Sequence, residues 1–201
     1  GELVAYGKKK NVNVKPLFNS LGHNSLIPRV FPELSAKNAD GTDKGYGLCT
    51  NSPKTREFMF GLFDRIIDKY MKPYGVDSIH IGLDEVDPSL GVYPNDPYKK
   101  VTPFCECEKC RGKKETDLIT DYAVALCKHL KSKGVKNIHI YHDMFFVREN
   151  ILDENLKKRF EDEGIYENII IHWWNYRADS SIFWNRFDEV NNIFRSIMKP
   201  M

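Results

Sequence analysis

Ser78-Ile79-His80-Ile81-Gly82-Leu83-Asp84-Glu85 runs from an apolar segment directly into two adjacent carboxylates, followed by Val86-Asp87-Pro88. Residues 78–83 predict a strand. Side chains alternate along extended backbone, so His80, Gly82 and Asp84 are expected on one face and Ile81 and Leu83 on the other. Glu85 lies past the last apolar residue, where a turn of the backbone would bring its carboxyl beside that of Asp84. A strand that delivers an acid pair into a loop is how α/β barrels present their chemistry, at the C-terminal ends of the strands.

Three further apolar segments share this character: Val12-Asn13-Val14-Lys15-Pro16-Leu17-Phe18, Asn137-Ile138-His139-Ile140-Tyr141-His142 and Asn168-Ile169-Ile170-Ile171-His172-Trp173-Trp174. Each reads as a buried parallel strand. Between the first two, Ser52-Pro53 opens a helix to about residue 72, with Phe58, Leu62, Ile66 and Tyr70 on an i, i+4 stripe and Pro73 and Gly75 stopping it. Residues 116–133 predict a second amphipathic helix, with Ile119, Ala123, Leu126 and Leu130 inward and Gly134 at its end. Further helices are expected over 149–163 and 187–198. Strands alternating with helices imply a parallel sheet. Residues 19–51 and 84–114 read as long loops on one rim of it.

Four strands are half of an eight-stranded barrel, which typically takes about 250 residues. The expected fold class is therefore α/β, the chain forming a single segment, residues 1–201, of a (β/α)8 TIM barrel. An open doubly wound sheet would call for a glycine-rich phosphate turn, and neither G-x-G-x-x-G nor G-x-x-x-x-G-K-S/T occurs.

The 201 residues, 41% of them hydrophobic, are sufficient for a sizeable core. Thirty Lys and Arg against 28 Asp and Glu leave a net charge of +2, which argues against nucleic acid or an anionic membrane as partner. No run approaches the roughly 18 consecutive apolar residues of a membrane helix. The chain begins Gly-Glu-Leu, without an initiator Met or a signal peptide, and reads as an excised segment.

Two carboxyls brought together resist simultaneous ionisation, so one retains a proton near neutrality, and glycoside cleavage needs such an acid. At these residues the sequence resembles the β-N-acetylhexosaminidases of glycoside hydrolase family 20, whose signature H-x-G-G-D-E closes the fourth barrel strand. His80, Gly82, Asp84 and Glu85 match it. Leu83 stands at the second glycine. Phe18-Asn19-Ser20-Leu21-Gly22-His23 is similar to the family's third-strand ending, which commonly carries P-G-H, with Leu21 in place of the proline. The resemblance implies that the four strands are about strands three to six of the barrel. It implies a carbohydrate substrate, substrate-assisted retaining catalysis with no cofactor, Asp84 orienting the 2-acetamido group and Glu85 as general acid. Trp173, Trp174 and Tyr176 are the expected aromatic wall for the sugar, with one of the two tryptophans lining the pocket, since neighbouring strand residues diverge unless the strand has already ended. The family's first-strand Arg and its late-strand partners fall outside such a segment.

The competing reading of Asp84-Glu85 is a solvated pair capping a neighbouring helix, and the strand context favours chemistry. His23 and the His142-Asp143 pair are expected at the same rim as substrate-binding residues; His23 could equally hydrogen-bond a sugar hydroxyl or a carboxylate, and for His142 a bond to its neighbouring backbone fits equally. Asp143 would be the second carboxylate of a two-carboxylate glycosidase, with a separation of about 5–5.5 Å for retention or about 6.5–9.5 Å for inversion. A non-catalytic carbohydrate-binding or zinc-stabilised module is the third reading. His139 and His172 read as core or helix-facing residues.

Cys105-Glu106-Cys107-Glu108-Lys109-Cys110 places three of the five cysteines within six residues. Three thiolates suit a structural zinc ion, which needs a fourth ligand that the sequence leaves open among Cys127, Cys49 and His129. A Cys105–Cys110 disulfide and three reduced thiols are the alternatives.

Overall fold

The computed structural model describes residues 1–86, 92–93, 96–100, 104–146 and 156–172. In chain order its principal elements are helices α1 (Glu2–Lys9) and α2 (Leu26–Val30), strands β1 (Ser35–Lys37) and β2 (Asp43–Leu48), helix α3 (Pro53–Ile66), and strands β3 (Ser78–His80), β4 (Val92–Tyr93) and β5 (Asp96–Lys100). Helix α4 (Glu115–Ser132), strand β6 (Asn137–Tyr141), helices α5 (Asp143–Phe146) and α6 (Leu156–Asp162), and strand β7 (Ile169–His172) complete them.

The central sheet is parallel, in the order β3-β6-β7. Leu17 extends it by one parallel bridge to His80, flanked by hydrogen bonds from the Phe18 N–H to the His80 carbonyl (3.0 Å) and from the His80 N–H to the Pro16 carbonyl (2.9 Å). The expected strand over 12–18 thus contracts to its C-terminal end. Pro16 has no N–H to donate, which limits this segment as a ladder partner. Among the described residues the sheet does not close into a barrel.

Ile79, Ile81, Ile138 and Ile140 are fully buried and share one cluster with Met59, Phe63 and Ile67 from the α3 region and with Ile119, Ala123, Leu126 and Leu130 of α4. Each such aliphatic side chain contributes about 1.5–3 kcal/mol on burial. The inward stripe of α4 is as expected. That of α3 is displaced by one residue: Thr55, Met59, Phe63, Ile67 and Met71 are buried, Phe58, Leu62 and Ile66 are half-buried, and Tyr70 is exposed. Both stripes repeat every four residues, so spacing alone does not distinguish them, and both outrun the 3.6-residue turn of an α-helix. A π-helical stretch, Ile67–Met71, widens the last turns and keeps Ile67 and Met71 on the buried face.

The opposite face of the sheet is polar. His139 Nδ1 hydrogen-bonds His172 Nε2 at 2.7 Å, Lys15 Nζ lies 3.2 Å from both ring nitrogens of His139, and the His80 ring packs 4.2 Å from Tyr141 and 4.9 Å from His172. His139 and His172 therefore satisfy one another on the face away from the helices, not the helix-facing one. Burial holds His80 down at about 3 and His139 at about 4, with the nearby Lys15 and histidine charges adding.

The segment expected as a loop over 19–51 contains α2 and an antiparallel hairpin, β1 with β2. The Glu106 N–H donates to the Lys37 carbonyl at 2.8 Å, docking the segment around residue 106 on the edge of β1. The helix expected over 149–163 is seen as α6, residues 147–155 lying outside the described residues, as do 187–198. No described helix is long and apolar enough to cross a membrane.

Candidate active site

The strand that carries the acid pair ends earlier than its apolar run. His80 Nδ1 accepts the Gly82 N–H at 3.0 Å, and the backbone then enters the left-handed region at Gly82 (φ 71°), Leu83 (φ 72°) and Glu85 (φ 52°). Strand alternation therefore stops at residue 82. Leu83 is nevertheless fully buried, and the conformation its side chain disfavours is retained. Its position is the one where the resembled signature has glycine, whose missing Cβ suits this backbone.

The loop after residue 18 packs against this turn through two glycines. A Cβ on Gly22 would fall on the Asp84 carbonyl oxygen, and one on Gly82 would overlap Asn19 Oδ1 and stand 2.9 Å from Asn19 Cα. Ser20 fastens the contact, its N–H and its hydroxyl both donating to the Ile81 carbonyl at 3.0 Å.

This approach carries His23 (φ 54°) over the carboxylates. His23 Nε2 lies 3.2 Å from Asp84 Oδ2 and 3.1 Å from Glu85 Oε2. The Asp84 side chain is 13% exposed, that of Glu85 27% and that of His23 47%, so the site grades from a buried carboxylate to an open imidazole. Asp84 Oδ1 is buried with no hydrogen-bond partner among the described residues. An unmatched buried acceptor is costly, and a donor on a bound ligand would satisfy it.

Asp143, at the start of α5, is buried beneath the pair, and its Oδ2 accepts the Glu85 N–H at 2.9 Å. Its carboxylate is thus engaged with the backbone of Glu85. His142 is buried beside it, and its backbone N–H donates to the His172 carbonyl at 3.2 Å. Trp173, Trp174 and Tyr176 lie outside the described residues.

Against protein-family models, residues 1–186 match glycosyl hydrolase family 20, catalytic domain. The chain belongs to that family. Family 20 membership makes it a glycosidase-type, hexosaminidase-like hydrolase of carbohydrate metabolism with a carbohydrate substrate, and the family's catalytic domain is a TIM barrel. No curated protein matches the chain.

Four of the five cysteines of this family 20 chain gather against the β1–β2 hairpin. Cys49 joins Cys105, Cys107 and Cys110, with all four Sγ atoms within 4.8 Å of one another. All five cysteines are free thiols, so the Cys105–Cys110 disulfide is not formed. The Cys49 contact draws Cys105 down to about 5, helped by the Lys37 N–H, and pushes Cys49 up. Cys127 is buried within α4, which pushes it up to about 12, and His129 is engaged by Asp64 at 2.7 Å and stacked on Phe60. The hairpin, which no periodicity announced, brings Cys49 to the other three.

Proposed function

We propose that this chain removes a terminal N-acetylhexosamine by substrate-assisted retaining catalysis, with Glu85 as general acid and Asp84 orienting the acetamido group. The observation that carries the reading is Asp84. One carboxylate oxygen is held by His23 and the other is buried without a partner among the described residues, so an acetamido N–H is a fitting donor. That bond would turn the acetamido carbonyl oxygen toward the anomeric carbon. As it attacks, the C1–O bond breaks and the proton of Glu85 passes to the departing oxygen. The resulting oxazolinium is then opened by water, which returns a proton to the Glu85 carboxylate. The greater exposure of Glu85 suits a group that meets both leaving group and water.

On the same reading residues 16–18, β3, β6 and β7 are the third to sixth strands of a (β/α)8 barrel, Trp173, Trp174 and Tyr176 supply an aromatic wall for the sugar, and the reaction uses no cofactor. His23 bridges the two acids and holds them for the substrate.

The test is turnover of a chromogenic N-acetyl-β-glucosaminide beside the matching β-glucoside, with an acetamido-derived thiazoline as inhibitor. Preference for the acetamido sugar and inhibition by the thiazoline are expected. Equal cleavage of both glycosides without inhibition would assign the site to two-carboxylate chemistry instead. Sugar binding without turnover by the unmodified protein would make it a binding module.

A further inference from the structure

We propose that Cys49, Cys105, Cys107 and Cys110 form a structural tetrathiolate zinc site that joins the loop after β2 to the segment around residues 104–113. The inference is independent of the sugar chemistry proposed above.

The sulfur spacing is the first argument. Cys49 Sγ lies 3.8 Å from both Cys107 Sγ and Cys110 Sγ, and the full set lies within 4.8 Å. Zinc binds thiolates at about 2.3 Å, and a tetrahedron of that radius has edges of about 3.8 Å. A disulfide needs its sulfurs at about 2.05 Å, far inside these separations.

The second argument is the surroundings. Cys49, Cys105 and Cys110 are 5%, 5% and 2% exposed, so the set is enclosed on most sides. Its sulfurs already have donors of the kind that stabilise metal-bound thiolate: the Lys37 N–H to Cys105 Sγ at 3.3 Å and Asn51 Nδ2 to Cys110 Sγ at 3.7 Å. Cys107-Glu108-Lys109-Cys110 forms a tight turn in which the N–H groups of Cys110 and Arg111 both donate to the Cys107 carbonyl at 2.8 Å. Gly112 follows with φ 79°. The turn projects two thiols to one side, as chelation of a single ion requires.

The third argument is placement. The Cys49 N–H bonds the Leu34 carbonyl, and its own carbonyl accepts the Ser52 N–H just ahead of α3, so the residue is fixed on the hairpin side. The other three ligands come from more than fifty positions later in the chain. A metal ion here would close that long loop and hold it against the hairpin. Four cysteines supply the closed, water-free donor set of a structural centre, which leaves no open position for a substrate.

The test is elemental analysis of the protein purified from zinc-supplemented medium, paired with Co²⁺ substitution. About one zinc per chain is expected, and the cobalt protein should show the thiolate-to-metal charge transfer and strong visible bands of a tetrahedral tetrathiolate site. Cys49→Ser should lose the metal or lower the charge-transfer intensity, whereas Cys127→Ser should leave both unchanged. Absence of retained metal, with native thiol titration showing either two disulfides or all cysteines freely reactive, would overturn the proposal. So would a cobalt spectrum that Cys49→Ser does not alter. The readouts involve no glycoside, so failure here and failure of the catalytic reading are separable.

Discussion

The Asp143 carboxylate accepts the backbone N–H of Glu85 at 2.9 Å, so the residue proposed as general acid is held from beneath by the start of the next strand's helix. Removing that acceptor frees a peptide group that sits at φ 52°. Asp143→Ala should lower kcat about 10- to 100-fold with little change in KM, the equivalent of about 1.4–2.8 kcal/mol. Asp143→Asn retains an oxygen acceptor and should recover most of the loss. Steady-state kinetics on the three proteins check the difference, and equal losses in both variants would argue against positioning through this bond.

Glu85→Gln preserves shape and removes the proton. A loss of about 10²- to 10⁴-fold is expected on substrates with poor leaving groups, and a markedly smaller one on activated aryl glycosides that need little protonation. The slope of rate against leaving-group pKa measures this, and a slope equal to that of the unmodified enzyme would exclude Glu85 as the acid.

Gly22→Ala places a methyl on the Asp84 carbonyl oxygen, which is backbone and cannot rotate away. Overpacking of this kind costs about 1–3 kcal/mol. Chemical denaturation should show that loss, and activity should fall further than stability alone explains, because His23 moves with the loop.

Leu83→Gly and Leu83→Ala both remove a fully buried side chain and should each destabilise by about 2–5 kcal/mol. At φ 72° the ordinary order of the two reverses. Left-handed backbone costs an L-residue about 1–2 kcal/mol, so the glycine variant should be the more stable by about 1 kcal/mol. Denaturation midpoints of the pair test this directly.

The polar face of the sheet predicts a pH response. His80 and His139 are held at about 3 and about 4, first by burial, below their ordinary value of about 6.5, and His172 is lowered in the same way. Between these limits the unfolded chain binds more protons than the folded one, so stability rises with pH. It should be complete above about pH 6.5 and fall progressively as the pH drops through 4 and toward 3. Thermal midpoints across this range check the sign. His139→Gln should flatten the profile by removing one of the titrating rings.

Much of this arrangement can be read from residue pattern alone, and the failures have physical causes. Helix α4 was legible because Ile119, Ala123, Leu126 and Leu130 follow its turn, and β6 because its isoleucines alternate with polar residues. Helix α3 is legible in extent but not in facing, since the stripes Phe58-Leu62-Ile66 and Met59-Phe63-Ile67 lie side by side with the same spacing, and spacing alone does not choose between them. The acid pair declared itself by following an apolar strand. The expected turn does bring Glu85 beside Asp84, and Leu83 is buried with Ile81 as expected, but the left-handed backbone at Gly82, Leu83 and Glu85 that makes the turn was not legible from alternation. The fourth cysteine stayed open because Cys49 meets the others only through the fold of the β1–β2 hairpin, a contact between residues 58 positions apart.

The close approach of Gly22 to Asp84 and of Gly82 to Asn19 has a consequence for anyone transplanting this chemistry. Residues 84 and 85 alone would carry the two acids into a new scaffold without their orientation. The portable unit is discontinuous: residues 19–23, residues 80–86 and Asp143, three stretches whose backbones fit only because two of them lack a Cβ at the points of contact.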